Sequence, residues 1–245
     1  MPVLGDPGHA DMIGYLRGLQ SQIGTPSAII MVSAHWEFPK PRITSSPQPD
    51  LYFDYYGFPP ETYEYTYGAP GSPELAQRLF ETLTAAGLEP ELDDTRGFDH
   101  GMFIPMMLMY PDGSVPVVQV SLLDGLDAES HIALGEALRS LTDDDVLVIG
   151  SGMSYHNMGG FGGAADPANI EFDAWLEDVC TASGEESARR EALVDWASTP
   201  SARENHPREE HLVPLHVCYG VGGGAALRHF EGQVMGKLVA AYLWP

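Results

Sequence analysis

Four of the nine histidines stand where an imidazole could do chemistry. His35 ends the apolar run AIIMVSAHWE (28–37), and His156 follows VLVIGSG in GSGMSYHN. His100 lies in GFDHGMF between Asp99 and Gly101, and His211 falls in NHPREEHLVPLH. Neutral imidazole is the commonest metal ligand, and a site of several imidazoles suits zinc, ferrous iron or copper. Imidazole also titrates near neutrality, so each of the four could instead move protons. A lone histidine is more often a satisfied core residue. The case for His35 and His156 is stronger, because each comes just past a buried apolar run and the two could converge. Their spacing names neither metal nor reaction.

The remaining histidines read as bland. His131 falls in an amphipathic helix and His229 in a polar loop, and both are expected to be structural or surface residues. His216, one helical turn past Leu212, reads as packed.

The elements that must position these groups alternate between strand and helix patterns. Residues 8–21 carry Met12, Tyr15, Leu16 and Leu19 on one helical face. The strand 28–34 follows, then a Pro- and Tyr-rich stretch from Phe38 to Pro70, which is irregular yet too aromatic for a solvated linker. Such loops often wall a pocket. Ser72 caps a helix with Pro73 at its first position, which runs to Ala86 and stops at Gly87. LEPELDD reads as a strand, 115–123 as a buried strand, 128–141 as a helix and 146–152 as another buried strand. Residues 168–197 and 208–220 read as helical, and GKLVAAYLW as a last strand. Alternating strands and helices imply a parallel sheet with helices on both faces, whose ligands bind beyond the carboxyl ends of strands.

Composition bounds the function. At 245 residues with 44% apolar side chains, the chain fits one large α/β domain. A net charge of -23 argues against nucleic acid as a partner. Lys40 and Lys237 are the only lysines, an acidic pattern that suits either a high-salt cytoplasm or an ordinary acidic protein. Cys180 and Cys218 have no disulfide or zinc-knuckle spacing and read as reduced. No apolar run approaches bilayer length and no signal-peptide pattern opens the sequence, so the expectation is a soluble cytoplasmic protein that binds no membrane.

Seven segments carry a resemblance: VSAHWE, YYGFPPETY, APGSPELA, GFDHGMFIPMMLMYP, VPVVQVSL, VLVIGSGMSYHN and HPREEHLVPL. In this order they resemble the extradiol aromatic-ring-opening dioxygenases, in the DOPA 4,5-dioxygenase-like branch related to the catalytic subunit of protocatechuate 4,5-dioxygenase. The resemblance implies a three-layer α/β/α domain around a mostly parallel or mixed central sheet, with a mononuclear metal in a cleft. It implies His35 and His156 as metal ligands, His211 as a further histidine at or beside the metal, and His100 as the acid/base of ring cleavage. The implied cofactor is iron(II), with zinc tolerated by the same ligands, and the implied partners are a small aromatic diol and dioxygen. The aromatic loop bearing Tyr55, Tyr56 and Phe58 suits a flat substrate. A homodimer is plausible for such a family.

The resemblance also implies a short strand ending in Ser-His-Gly, with another ligand, ahead of a segment similar to PVLGDPGHADM. His9 sits where the family has no ligand and is not given that role. The expectation is a single catalytic domain, 1–245, lacking that strand and its histidine through a gene start placed too late, rather than a truncated paralogue. A competing reading is a non-catalytic or metal-impaired binding protein on the same scaffold. A zinc hydrolase has no nucleophile motif behind it, and Glu209 and Glu210 read as helix N-terminal residues favoured by the dipole.

Overall fold

Residues 28–32 contain no polar side chain, and a run of this kind can be buried on both faces only inside a sheet covered on both sides. The computed structural model describes residues 5–245. Its central sheet has five strands: β1 (Ala28–Phe38), β2 (Arg42–Thr44), β3 (Glu91–Asp93), β4 (Val117–Leu123) and β5 (Val146–Ser151). Their spatial order is β3-β2-β4-β1-β5. β1 is parallel to both β4 and β5, β2 is antiparallel to β4, and β3 is parallel to β2. The sheet is therefore mixed, with a parallel heart.

Among the described residues eight α-helices surround it: α1 (Ala10–Ile23), α2 (Pro73–Ala85), α3 (His100–Met109), α4 (Ala128–Leu138), α5 (Pro167–Thr181), α6 (Glu186–Val194), α7 (Ala202–Asn205) and α8 (Val213–Gly222). Side chains alternate along a strand, so β1 feeds two cores. Ile30 and Val32 pack with Val118 and Val120 against α2, α4 and α8. Ile29 and Met31 pack with Val117 against Leu19 of α1 and the Met102, Phe103 and Met106 side of α3. These four β1 residues are fully buried, each worth about 1.5–3 kcal/mol relative to exposure. The result is an α/β/α sandwich of three layers.

Local signals explain most helix ends. The Ser72 hydroxyl accepts from Leu75 N (3.2 Å) at the start of α2, and Asp127 accepts from Ser130 N (2.8 Å) at the start of α4. α3 is apolar nearly all round because it is buried nearly all round. It contains Pro105, which has no N–H to offer the carbonyl of Gly101 one turn back. That carbonyl instead accepts the Ser151 hydroxyl at 2.5 Å. The proline thus ties the first turn of α3 to the end of β5.

Three sequence expectations are corrected. The helical stretch 168–197 is broken at 182–185, where the α5 C-cap Ala182 is extended (ψ 140°) and α6 begins anew. The stretch 208–220 becomes helical only at Val213, so His211 precedes α8. GKLVAAYLW forms the expected last strand, β7 (Lys237–Leu243), which lies outside the central sheet. It pairs antiparallel with β6 (Leu227–Val234). The turn between them holds Met235 (φ 49°) and Gly236 (φ 85°) at positive φ, the geometry of a tight two-residue hairpin. His229 lies in β6 rather than in a loop, its Nδ1 2.9 Å from the Tyr15 hydroxyl. Cys180 and Cys218 are free thiols. No described helix is long and apolar enough to cross a membrane.

Candidate active site

The register of β1 slips where its chemistry begins. Val32 pairs with Val120, but the next pair to β4 is Glu37 with Leu122, and pairing to β5 ends at Ser33 with Ser151. A bulge of this kind bends a strand and re-aims its side chains. It turns Ser33 and His35 toward the start of α3, where Gly101 leaves room for both. A Cβ on Gly101 would lie 2.4 Å from Ser33 Oγ and 2.7 Å from His35 Nδ1.

His100 is the first residue of α3, set there by the N-cap Asp99. Its backbone N–H and its Nδ1 both reach Asp54 Oδ1, at 3.0 and 2.7 Å. A carboxylate only accepts, so Nδ1 carries the proton and Nε2 is left basic. Burial works against the charge on Asp54, yet the contacts from His100 hold its carboxyl below the usual range.

His156 and His211 are joined through their backbones. Met153 N donates to His211 O (2.9 Å) and His156 N donates to Asn205 O (3.0 Å). Gly152 permits this approach, since a Cβ there would come within 2.2 Å of His211 O. The two rings stack with centroids 3.3 Å apart and planes 11° from parallel. Glu210 Oε1 lies 3.1 Å from His211 Nδ1 and 3.6 Å from His156 Nδ1.

His35 links the halves: its ring centroid is 4.0 Å from that of His100 and 5.1 Å from that of His211. Residues far apart in sequence thus form one cluster of four imidazoles. The donor atoms of His35, Asp54 and His100 lie within 4.8 Å of one another, as do those of His156, Glu210 and His211.

The electrostatics favour an uncharged ring at His35 and at His211. Burial, then the neighbouring His100 and His211, push His35 down to about 3. Burial also lowers His211, against the pull of Glu210. Burial alone would raise Glu210, but hydrogen bonds from His156 and His211 hold it well below the usual carboxylate range. Glu210 Oε2 is buried without a hydrogen bond, and its nearest cationic neighbour is Arg208 Nη1 at 3.4 Å. Clustered imidazoles beside a carboxylate held in its ionised form fit a divalent cation.

The aromatic loop meets this cluster through Tyr55. Its ring stands edge-on to His100, with centroids 5.4 Å apart and planes at 89°. Phe58 packs edge-on to Tyr55 and is 43% exposed, while Tyr56 is 91% exposed at the rim. The other histidines are structural. His131 accepts Leu123 N (2.9 Å), and His216 Nε2 lies 2.8 Å from Leu193 O. His206 Nε2 lies 3.0 Å from Ser154 O, which pins the loop bearing His156.

Two carboxylates were missed from sequence. Asp54 is the one charged residue in LYFDYY, a hint visible only once that loop is known to reach His100. Glu210 was read as a helix N-terminal residue, but α8 starts later and its carboxylate turns to the imidazoles. Glu209 points elsewhere, to Arg203.

A sheet with a parallel heart, whose titratable side chains gather at the C-terminal part of β1 and just beyond the end of the adjacent strand β5, is the layout of an α/β enzyme. Comparison with known proteins specifies which kind. Residues 15–243 match the family described as the catalytic LigB subunit of aromatic ring-opening dioxygenase. The chain is 40% identical to the 4,5-DOPA dioxygenase extradiol of Beta vulgaris, over 81% of this chain and 74% of that one. It is 35% identical to dioxygenase tasH of Hapsidospora irregularis, over 100% of this chain and 82% of the relative. A crystal structure of an uncharacterized Escherichia coli K12 protein superposes with a TM-score of 0.77 at 29% identity, covering 93% of this chain and 89% of that one. The chain belongs to this family of aromatic ring-opening dioxygenases, and it is a dioxygenase. A non-catalytic role finds no support among these named relatives.

Proposed function

We propose that the chain opens the ring of a small catechol with dioxygen, using iron(II) held by His35, His156 and His211, with His100 as acid and base. The observation that carries this reading is the meeting of four imidazoles from four separate segments, His35 on β1 and His156 just past the neighbouring strand β5. Residues 1–245 act in this reading as a single catalytic domain.

Bound iron(II) supplies the redox chemistry and the shared contact point for diol and dioxygen that zinc, with no redox state of its own, would not. The chain's own residues do the rest. His100 has Nδ1 committed to Asp54, and its side chain is 28% exposed, so Nε2 is free to face a substrate hydroxyl. It takes the phenolic proton as the diol binds and returns a proton as the ring opens. Both oxygen atoms enter the product. The carbon–carbon bond next to the diol breaks, leaving a carboxylate on one carbon and an aldehyde on the other. Tyr55, backed by Phe58, offers the flat apolar surface beside His100, with Tyr56 at the rim. Relatives named for DOPA make that amino-acid catechol the first substrate to try.

The test is anaerobic loading with iron(II), followed by a catechol panel that begins with DOPA. Stoichiometric oxygen uptake with a yellow ring-opened product is expected. Iron-loaded protein that consumes no oxygen with any catechol would refute the reading.

A further inference from the structure

His35 is held by more than the bulge in β1. Behind it lies a fully buried network that none of the chemistry above uses. Ser33, two residues back on the same strand face, is fully buried, as are Asp99 and Gln119. The Ser33 hydroxyl donates to Asp99 Oδ1 at 2.8 Å. Asp99 Oδ1 also receives Met102 N (3.3 Å), and Oδ2 receives Gln119 Nε2 (2.9 Å) and the Arg96 guanidinium (3.5 Å). Gln119 closes the pair by accepting Asp99 N at 3.2 Å. Burial raises the Asp99 carboxyl, while the Ser33 and Gln119 hydrogen bonds and the Arg96 guanidinium oppose that rise; with a donor at each of these contacts, the serine proton is directed to Asp99 Oδ1.

The serine oxygen then has two lone pairs to share. One receives the backbone N–H of His35 at 3.2 Å, and the other faces His35 Nδ1 at 3.4 Å. An oxygen that has given its proton to Asp99 can only accept from that nitrogen. Nδ1 must therefore carry the imidazole proton, and the lone pair of the ring sits on Nε2. Gly101 lets these groups pack this closely, since a Cβ there would touch Ser33 Oγ, His35 Nδ1 and Asp99 Oδ1.

We propose that Asp99 and Ser33 form a positioning relay that fixes His35 as its Nδ1–H tautomer and so presents Nε2 as the donor atom to a cation. The consequence for binding rests on His35 being a metal ligand, as proposed above; the tautomer itself does not. Groups that orient a ligating histidine from behind typically change metal affinity 10–100-fold when removed.

The primary measurement is a long-range 1H–15N correlation spectrum of the full, metal-free chain at mildly alkaline pH, with His35 assigned through His35→Asn. A protonated Nδ1 and an unprotonated Nε2 are expected. A proton on Nε2, or an average of both forms, overturns the proposal with no variant required. In Ser33→Ala the two tautomers should mix, and zinc(II) affinity, measured by competition with a chromophoric chelator, should fall about 10–100-fold. Asp99→Asn should act in the same direction, because an amide can turn the serine proton back toward His35. Unchanged tautomer and zinc affinity in a folded Ser33→Ala protein would also overturn it. If His35→Asn itself kept full zinc affinity, the ligand assignment would fall while the tautomer result stood.

Discussion

His156 and His211 stack face to face, 3.3 Å between centroids, with Glu210 Oε1 at the Nδ1 edge of both rings. Two imidazoles this close would repel each other strongly if both were positively charged. A carboxylate at their Nδ1 atoms draws the N–H bonds to one side and leaves the Nε2 atoms as donors. Glu210→Gln should therefore weaken zinc or iron(II) binding by about 10–100-fold while leaving the secondary structure intact. Titration with a chelator and circular dichroism on the same sample check both halves. Full metal affinity in this variant would mean the carboxylate plays no part in the site.

Asp54 and His100 form the second pair. His100→Gln should lower kcat by about 10²–10⁴, the usual contribution of a positioned acid/base, with metal content unchanged. Asp54→Asn keeps the shape but allows the wrong tautomer, and it should cost at least about tenfold in kcat. Steady-state oxygen uptake with metal analysis separates these from loss of the metal.

Gly101→Ala adds one methyl where Ser33 Oγ stands 2.4 Å away and His35 Nδ1 2.7 Å. Both atoms are held by the network on Asp99, so neither can yield freely. Overpacking at such a site costs about 1–3 kcal/mol. A lower denaturation midpoint and weaker metal binding should appear together. A shift in stability alone would show that His35 had not moved.

His206 and His216 make stability depend on pH. Burial pushes His206 down to about 3 and His216 to about 4, against an ordinary 6.5. Below pH 6.5 the unfolded chain takes up protons that the folded chain refuses, so stability falls as pH falls toward 4. At pH 5 each should cost about 2 kcal/mol. Chemical denaturation of metal-free protein at pH 7.5 and 5 measures the difference. His216→Gln should flatten it by roughly the share of one histidine.

The helix starts at Ser72 and Ala128, the buried strand around 28–32 and the strand at 146–151 were legible because their causes are local. The stretch 146–151, expected to be buried, is only half-buried beyond Val146 at the end of the described sheet. A cap hydroxyl, a first-turn proline and an unbroken apolar run act within a few residues. The resemblance carried His35, His100, His156 and His211 to positions that the fold brings together. Asp54 and Glu210 were not legible, because a carboxylate beside a histidine in space leaves no periodic trace in the chain. β7 was read as a strand from its composition, but its partner is β6, and pairing is a long-range choice that composition does not encode.

By itself, then, the sequence determined that the run 28–32 would be buried, where the helices after Ser72 and Asp127 would begin and which side chains were available for chemistry. Direction was decided only in three dimensions. His35 faces α3 because pairing to β4 slips between Val32 and Glu37, and because Gly101 leaves a space the width of one Cβ. His211 meets His156 because Met153 bonds to the carbonyl of His211. Propensity acts along the chain, whereas the aim of a side chain is set by the partner strand and by the packing it must satisfy.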